Sequence, residues 1–181
     1  LLAAYDTAFD DGPLQSAHVA PIALVFLSNL LRPDAQETFR YFASQGVSVR
    51  VISGDNPITV AQVAARAGIE NADRYVDAMT LSTEQDFEEA VKYYTVFGRV
   101  TPEQKRYLVR AFQKQGHTVA MTGDGVNDVL ALKDANCGIA MASGSQAASQ
   151  VAQIVLLNSQ FSAMPAIVAE GRRVINNIQR A

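Results

Sequence analysis

Apolar and polar positions fall into alternating blocks along this chain: short apolar runs give way to longer amphipathic stretches, and the alternation repeats almost to the end. After a polar, turn-rich lead, the run 22–27, bounded by Pro21 and by Ser28 and Asn29, predicts a buried strand. Positions 34–45 place Ala35, Phe39, Phe42 and Ala43 on one helical face and stop at Gly46, a residue that suits a helix C-terminus. Positions 47–52 predict the next strand. Asp55 or Asn56 then caps an alanine-rich helix that has Pro57 in its first turn and Gly68 past its end. A weaker region holds a helix over 82–92, opened by Ser82, Thr83, Glu84 and Gln85, and a short strand over 95–97. Thr101, Pro102 and Gln104 start a further helix that Gly116 closes. Strands at 118–121, 138–141 and 154–157, with helices at 127–135 and 145–151, complete the alternation, and a long helix over 161–181 ends it.

Short strands joined by helices require right-handed crossovers, hence a parallel sheet with helices on both faces. The expected fold is α/β, a doubly wound Rossmann-like parallel sheet. In such folds ligands bind at the carboxyl ends of the strands. Two of the predicted strands run there into similar turns, Ser53-Gly54-Asp55 and Thr122-Gly123-Asp124, the second followed by Gly125, Asn127 and Asp128. Glycines admit backbone amides close to an anion, Asp124 offers a hard oxygen ligand, and Asn127 and Asp128 fall where a helix begins. Two carboxylates and an amide crowded at a strand end are costly to desolvate without a cation or donors, which points to a metal-bound phosphate. A Gly-Asp turn of itself also serves as a plain helix cap, and that reading stays open for Asp55.

Composition narrows the field. The 181 residues suit one domain, since domains run to about 100 to 200 residues. A net charge of −3 with scattered basic residues argues against nucleic acid as a partner. The single Cys137 excludes an internal disulfide and a cysteine zinc cluster, and it is expected to pack in the core along with Met121 and Met141. The only two histidines, His18 and His117, lie outside the loops above and are expected at surface or turn positions. No apolar run reaches the ~18 residues that span a bilayer, so the chain is expected to be soluble by itself. It opens at Leu1 without a methionine and stops within the last predicted helix, which reads as a piece cut at both ends.

Five groups of residues carry a family resemblance: Leu31-Arg32-Pro33-Asp34-Ala35; Ser53-Gly54-Asp55; the run from Val96 to Lys105, which includes Gly98-Arg99-Val100-Thr101-Pro102; Met121 to Asp128 with Ala131-Leu132-Lys133; and Glu170-Gly171-Arg172-Arg173. In that order the chain resembles, from about residue 20 onward, the phosphorylation domain of P-type (E1-E2) cation-transporting ATPases, members of the haloacid-dehalogenase-like superfamily. The resemblance implies a haloacid-dehalogenase-like fold in which an aspartate on the central strand takes the γ-phosphoryl of ATP and is later hydrolysed. It implies Mg²⁺ as cofactor, ATP as substrate, and Asp124 as the metal ligand. Lys105, Asp124, Asn127 and Asp128 become the catalytic group, and Ser53, Gly54, Thr122, Gly123 and Lys105 the phosphate-binding group. Asp55 and Arg99 resemble positions that meet the nucleotide. Residues 1–19 resemble the end of a nucleotide-binding domain with a linker, and 20–181 the C-terminal portion of the phosphorylation domain, ending before a membrane helix. The implied partners are the nucleotide-binding, actuator and transmembrane domains of the same pump, ATP and the transported cation. The implied location is the cytoplasmic side of a membrane, expected to be the plasma membrane.

The family's nucleophile sits in an Asp-Lys-Thr-Gly-Thr motif, and that motif does not occur between Leu1 and Ala181. Its strand belongs between the one ending at Ser53 and the one ending at Thr122, so the central nucleophile strand is expected to be missing from the sheet and the isolated chain to be inactive. A soluble phosphatase fragment of the same fold and a non-catalytic binding remnant are the alternative readings.

Overall fold

The computed structural model describes residues 2–6, 19–25 and 30–180. They fall into two units, Leu1–Leu30 and Leu31–Ala181.

In the first unit β1 (Leu2–Asp6) pairs antiparallel with β2 (Val19–Leu24), and the register shifts between Ala3 and Ala4, beside Pro21. A proline lacks the ladder N–H, and sheets place it at such irregularities. The strand expected at 22–27 is therefore displaced toward the N-terminus, and it is not the buried parallel strand that its apolar run predicts. Ile22 is 66% and Leu24 68% exposed. The end of that predicted run, 26–27, lies outside the described residues, as does His18.

Apart from β4, which was not expected, the second unit alternates as predicted: α1 (Ala35–Ser44), β3 (Val51–Ile52), α2 (Pro57–Arg66), β4 (Tyr75–Asp77), α3 (Glu84–Tyr93), β5 (Val96–Gly98), α4 (Pro102–Lys114), β6 (Ala120–Gly123), α5 (Val129–Asp134), β7 (Cys137–Met141), α6 (Gln146–Val151), β8 (Ile154–Leu156) and α7 (Met164–Arg180). Its strands make two parallel three-stranded sheets, in the orders β3-β5-β4 and β6-β7-β8. Among the described residues β3 and β6 each pair on one side only, and not with each other. The break falls where the resemblance leaves out a central strand.

Helices cover both faces of each half. Val60, Ala61 and Ala64 of α2 pack with Val51 and Val96, while Phe87 of α3 and Leu108 and Phe112 of α4 pack with Ile52 and Phe97. On the other half, Ala131 and Leu132 of α5 pack with Met121 and Ala140, and Phe42 of α1 and Met164 of α7 pack with Ile139 and Leu156. Helix α4 belongs to both halves: Leu108 and Phe112 face the first core and Val109 the second. It ties the two half-sheets together across the break.

Several local expectations are corrected. Strand β3 is two residues long where a strand over 47–52 is expected, because its partner β5 starts at Val96 and offers no ladder before it. The cap of α3 is Thr83, in a reciprocal pair with Asp86, rather than Ser82. On α1, Ala43 is exposed and Thr38 is buried, its hydroxyl donating to the Asp34 carbonyl. Cys137, expected in the core, is only half-buried against Phe42, Ile139, Leu156 and Met164, where Met141 also packs, whereas His117 is exposed as expected.

Candidate functional site

The site forms where β3, β5 and β6 end. Strand β3 leads into Ser53, whose amide donates to the Phe97 carbonyl and whose carbonyl accepts from Val100 at 3.0 Å. The Ser53 hydroxyl oxygen accepts from the Asp55 amide at 3.1 Å, which leaves its own O–H proton to donate outward. Asn56 caps α2 by accepting from the Ile58 amide. Helix α2 starts hard against the end of β5, for a Cβ on Gly98 would stand 2.4 Å from the Pro57 Cα. Gly54 and Asp55 are exposed.

After β5 the chain turns at Arg99, whose φ of 52° lies in the left-handed region that non-glycine residues seldom adopt. Its amide donates to the Asp55 carbonyl at 2.8 Å, and its guanidinium donates to Asp77 at 2.9 Å. Thr101 and Gln104 then close the capping box of α4 that the sequence predicts. This start sets the phase of the helix, so that Lys105, one turn in, points across to the other half-sheet.

There Lys105 Nζ donates to Asp128 Oδ1 at 2.7 Å, with both side chains largely shielded, 14% and 9% exposed. The other oxygen of Asp128 accepts from the backbone amides of Asp124, at 3.2 Å, and Gly125, at 3.0 Å. Asp128 is thus a buried carboxylate with every donor it needs, and it builds the loop from underneath. Gly123 makes room for it: a Cβ there would lie 2.6 Å from the Asp128 Cβ. Thr122 is half-buried on β6. Asp124 and Asn127 are exposed, and among the described residues neither side chain has a hydrogen bond or an ion pair. Asn127 falls in a single 3₁₀ turn, Val126–Asp128, ahead of α5 rather than inside that helix.

The predicted site residues therefore divide into two groups. Lys105, Gly123, Asp124, Asn127 and Asp128 meet around one loop, with Thr122 leading into it. Ser53, Gly54, Asp55 and Arg99 meet around another. Among the described residues no hydrogen bond or ion pair joins the loops directly; the link runs from Ser53 through Val100 and the first turns of α4 to Lys105. Outside them, Arg32 donates to the Ser159 carbonyl at 3.1 Å, and Asp34 stands at the N-cap of α1 without capping it through its side chain. Sequence reasoning passed over Asp77, the partner of Arg99, because it lies in no motif. It also passed over the clamp on Asp134, which accepts from Arg106 at 2.6 Å and Arg110 at 2.7 Å and fastens α5 to α4. Burial pushes the Asp134 carboxyl up, but the hydrogen bonds and charges of the two arginines prevail and hold it below the usual carboxylate range.

No group of three or more histidine, cysteine, aspartate or glutamate side chains converges as a metal cage among the described residues. A lone exposed carboxylate above a satisfied one suits Mg²⁺, which takes one or two carboxylates and completes its shell with phosphate oxygens and water.

Known proteins match this chain along most of its length. The chain is 55% identical over 181 residues to the calcium-transporting ATPase CtpE of Mycobacterium bovis, which covers 99% of this chain and 22% of that protein. It is 45% identical over 166 residues to a probable cation-transporting ATPase, exp7, of Streptococcus pneumoniae, covering 92% of this chain and 21% of that one. The chain thus spans about a fifth of the length of these relatives. Among solved structures, a zinc-transporting PIB-type ATPase in the E2.Pi state superposes with a TM-score of 0.68 at 26% identity, over 92% of this chain and 23% of the other. The catalytic domain of the CPx-ATPase CopB-B shares the fold, with a TM-score of 0.61 at 22% identity over 83% of this chain and 51% of that one. The profile of the haloacid dehalogenase-like hydrolases matches residues 2–136, and the chain belongs to that family.

Proposed function

We propose that this chain carries the C-terminal portion of the phosphorylation domain of an ATP-driven cation pump, and that its two loops hold the phosphoryl group during transfer. The observation that carries the reading is the Lys105–Asp128 pair, which organises the Gly123–Gly125 backbone and leaves the Asp124 carboxylate exposed beside it. In the whole protein an aspartate outside these residues attacks the γ-phosphorus of ATP, and ADP departs with the bridging oxygen. Water later cleaves the acyl phosphate to carboxylate and inorganic phosphate.

Bound Mg²⁺ supplies charge cancellation on the phosphoryl oxygens. Asp124 is the residue of this chain that would hold it, and Asn127 stands beside it to orient water or phosphate. Ser53 donates its O–H and Gly54 its N–H to phosphoryl oxygens. Lys105 offers a point charge to the same group while pinned to Asp128, and Thr122 and Gly123 shape the turn. Asp55 and Arg99, joined through their backbones, face the nucleotide. The partners are the pump's nucleotide-binding, actuator and transmembrane domains, and the domain works on the cytoplasmic side of the membrane, the plasma membrane being the expected one. No helix among the described residues is long and apolar enough to cross a bilayer.

The test is acid-stable labelling of the intact pump by γ-labelled ATP across a Mg²⁺ titration. Asp124→Ala is expected to abolish labelling, and undiminished labelling removes the metal role. The 181-residue chain alone is expected to take up no label, because it carries no Asp-Lys-Thr-Gly-Thr aspartate.

A further inference from the structure

The Asp124 loop has a second support, from the turn between β7 and α6. The Ser145 amide donates to the Asp124 carbonyl at 2.6 Å. Gly144 comes so close that a Cβ built on it would lie 2.3 Å from that carbonyl oxygen and 2.9 Å from the Asp124 Cα. Its φ is outside the left-handed region, so the close approach, and not the backbone conformation, is what calls for glycine. The turn is itself anchored: the Gly144 amide donates to the Met141 carbonyl, the Ser143 amide to the Ser159 hydroxyl and the Ala142 amide to the Leu156 carbonyl.

Asp124 is consequently gripped on both peptide groups. Its N–H is held by Asp128, its C=O by Ser145, and only the carboxylate is left to move. We propose that Gly144 and the Ser145 amide are positioning residues that set where the Asp124 carboxylate stands, and thereby the affinity of the site for a divalent cation. The inference rests on the proposed role of Asp124. Fixing the backbone of a ligand residue lowers the ordering that binding must impose, and supports behind a metal ligand govern affinity roughly ten- to hundredfold.

Two variants break the contact differently. Gly144→Ala forces the Asp124 carbonyl away. Ser145→Pro deletes the donor, and proline fits there because φ at Ser145 is −69°. In the intact pump both are expected to raise the Mg²⁺ concentration for half-maximal labelling roughly tenfold or more, with the KM for ATP unchanged. Ser145→Ala keeps the amide, loses only the hydroxyl that caps α6, and is expected to recover most of what Ser145→Pro loses. Gly171→Ala is the control, since a Cβ there meets nothing within 4 Å. The second readout needs no turnover. In the 181-residue chain without Mg²⁺, hydrogen exchange at the Asp124 and Gly125 amides is expected to speed up about tenfold in Gly144→Ala and Ser145→Pro. Asp124→Asn, run in parallel, separates the failures. If it leaves the Mg²⁺ dependence intact, the reading of the site falls. If it weakens that dependence while both turn variants match the parent in Mg²⁺ response and in exchange, the positioning proposal alone is overturned.

Discussion

The loops that end β3 and β6 carry the same order of residue types, a hydroxyl, a glycine and an aspartate, yet the fold holds them by different means. Ser53-Gly54-Asp55 is held through peptide groups, to Phe97, Val100 and Arg99, and among the described residues no buried charge lies beneath it. Thr122-Gly123-Asp124 sits over a buried ion pair, Lys105–Asp128, whose carboxylate also takes two backbone amides. A loop tied by its own backbone tolerates side-chain change. A loop organised by one buried carboxylate fails when that carboxylate goes, because the partner charge and two amides lose their acceptor together. The stiff loop bears the candidate metal ligand, and the tolerant one bears the residues that would meet a larger, mobile ligand.

The largest expected effect is that of Asp128→Ala, which strands the Lys105 charge and should destabilise the chain by about 3–5 kcal/mol. Urea denaturation measures it, and a loss below about 1 kcal/mol would show that the two loops are not held differently. Next comes a matched pair of glycine substitutions. Gly123→Ala drives a methyl into Asp128 and should cost about 1–3 kcal/mol. Gly54→Ala, whose Cβ would meet only the Val100 carbonyl at 3.9 Å, should fall within about 0.5 kcal/mol of the parent. Equal losses at the two positions would erase the contrast.

The smallest effect concerns Asp134, which fastens the helices beneath the stiff loop. Its carboxyl is held below its unfolded value, so its contribution is fully present above the ordinary aspartate range and is lost as pH falls through that range toward the folded-state value. Arg106 and Arg110 are 35% and 41% exposed, and solvent screening keeps the contribution under about 1 kcal/mol. Denaturation midpoints of parent and Asp134→Asn should therefore converge as pH drops from 6 toward 3, where about pH 4 is the usual aspartate midpoint. Parallel pH profiles would count against the clamp.

Legibility in the sequence followed the range of the interaction. Helix α4 was readable nearly to the residue, because Thr101, Pro102 and Gln104 settle its start among neighbours and Gly116, at φ 84°, follows its end. The placing of both hydroxyl-Gly-Asp turns at strand ends was readable as well, since each continues its strand directly in sequence. Strand β4 was missed: Tyr75, Val76 and Asp77 show no pattern of their own and become a strand only by lying beside β5. Around Ser82 and Thr83 either residue satisfies the local rule, and what selects Thr83 is its reciprocal bonding with Asp86. The strand at 22–27 failed for a related reason, for an apolar run announces burial but does not name the neighbour that provides it.

The sequence by itself determined the alternation of strands and helices, the caps, and which residue types stand at the ends of β3 and β6, because each depends on spacing along a few turns of chain. Only the tertiary structure decided that the strands divide into two half-sheets bridged by α4, that Asp128 turns inward to Lys105 while Asp124 stays exposed, and that Gly144 presses on the Asp124 carbonyl. Those outcomes hang on contacts between residues roughly twenty apart or on strands that cross over. No local propensity encodes which of two neighbouring carboxylates finds the half-buried lysine.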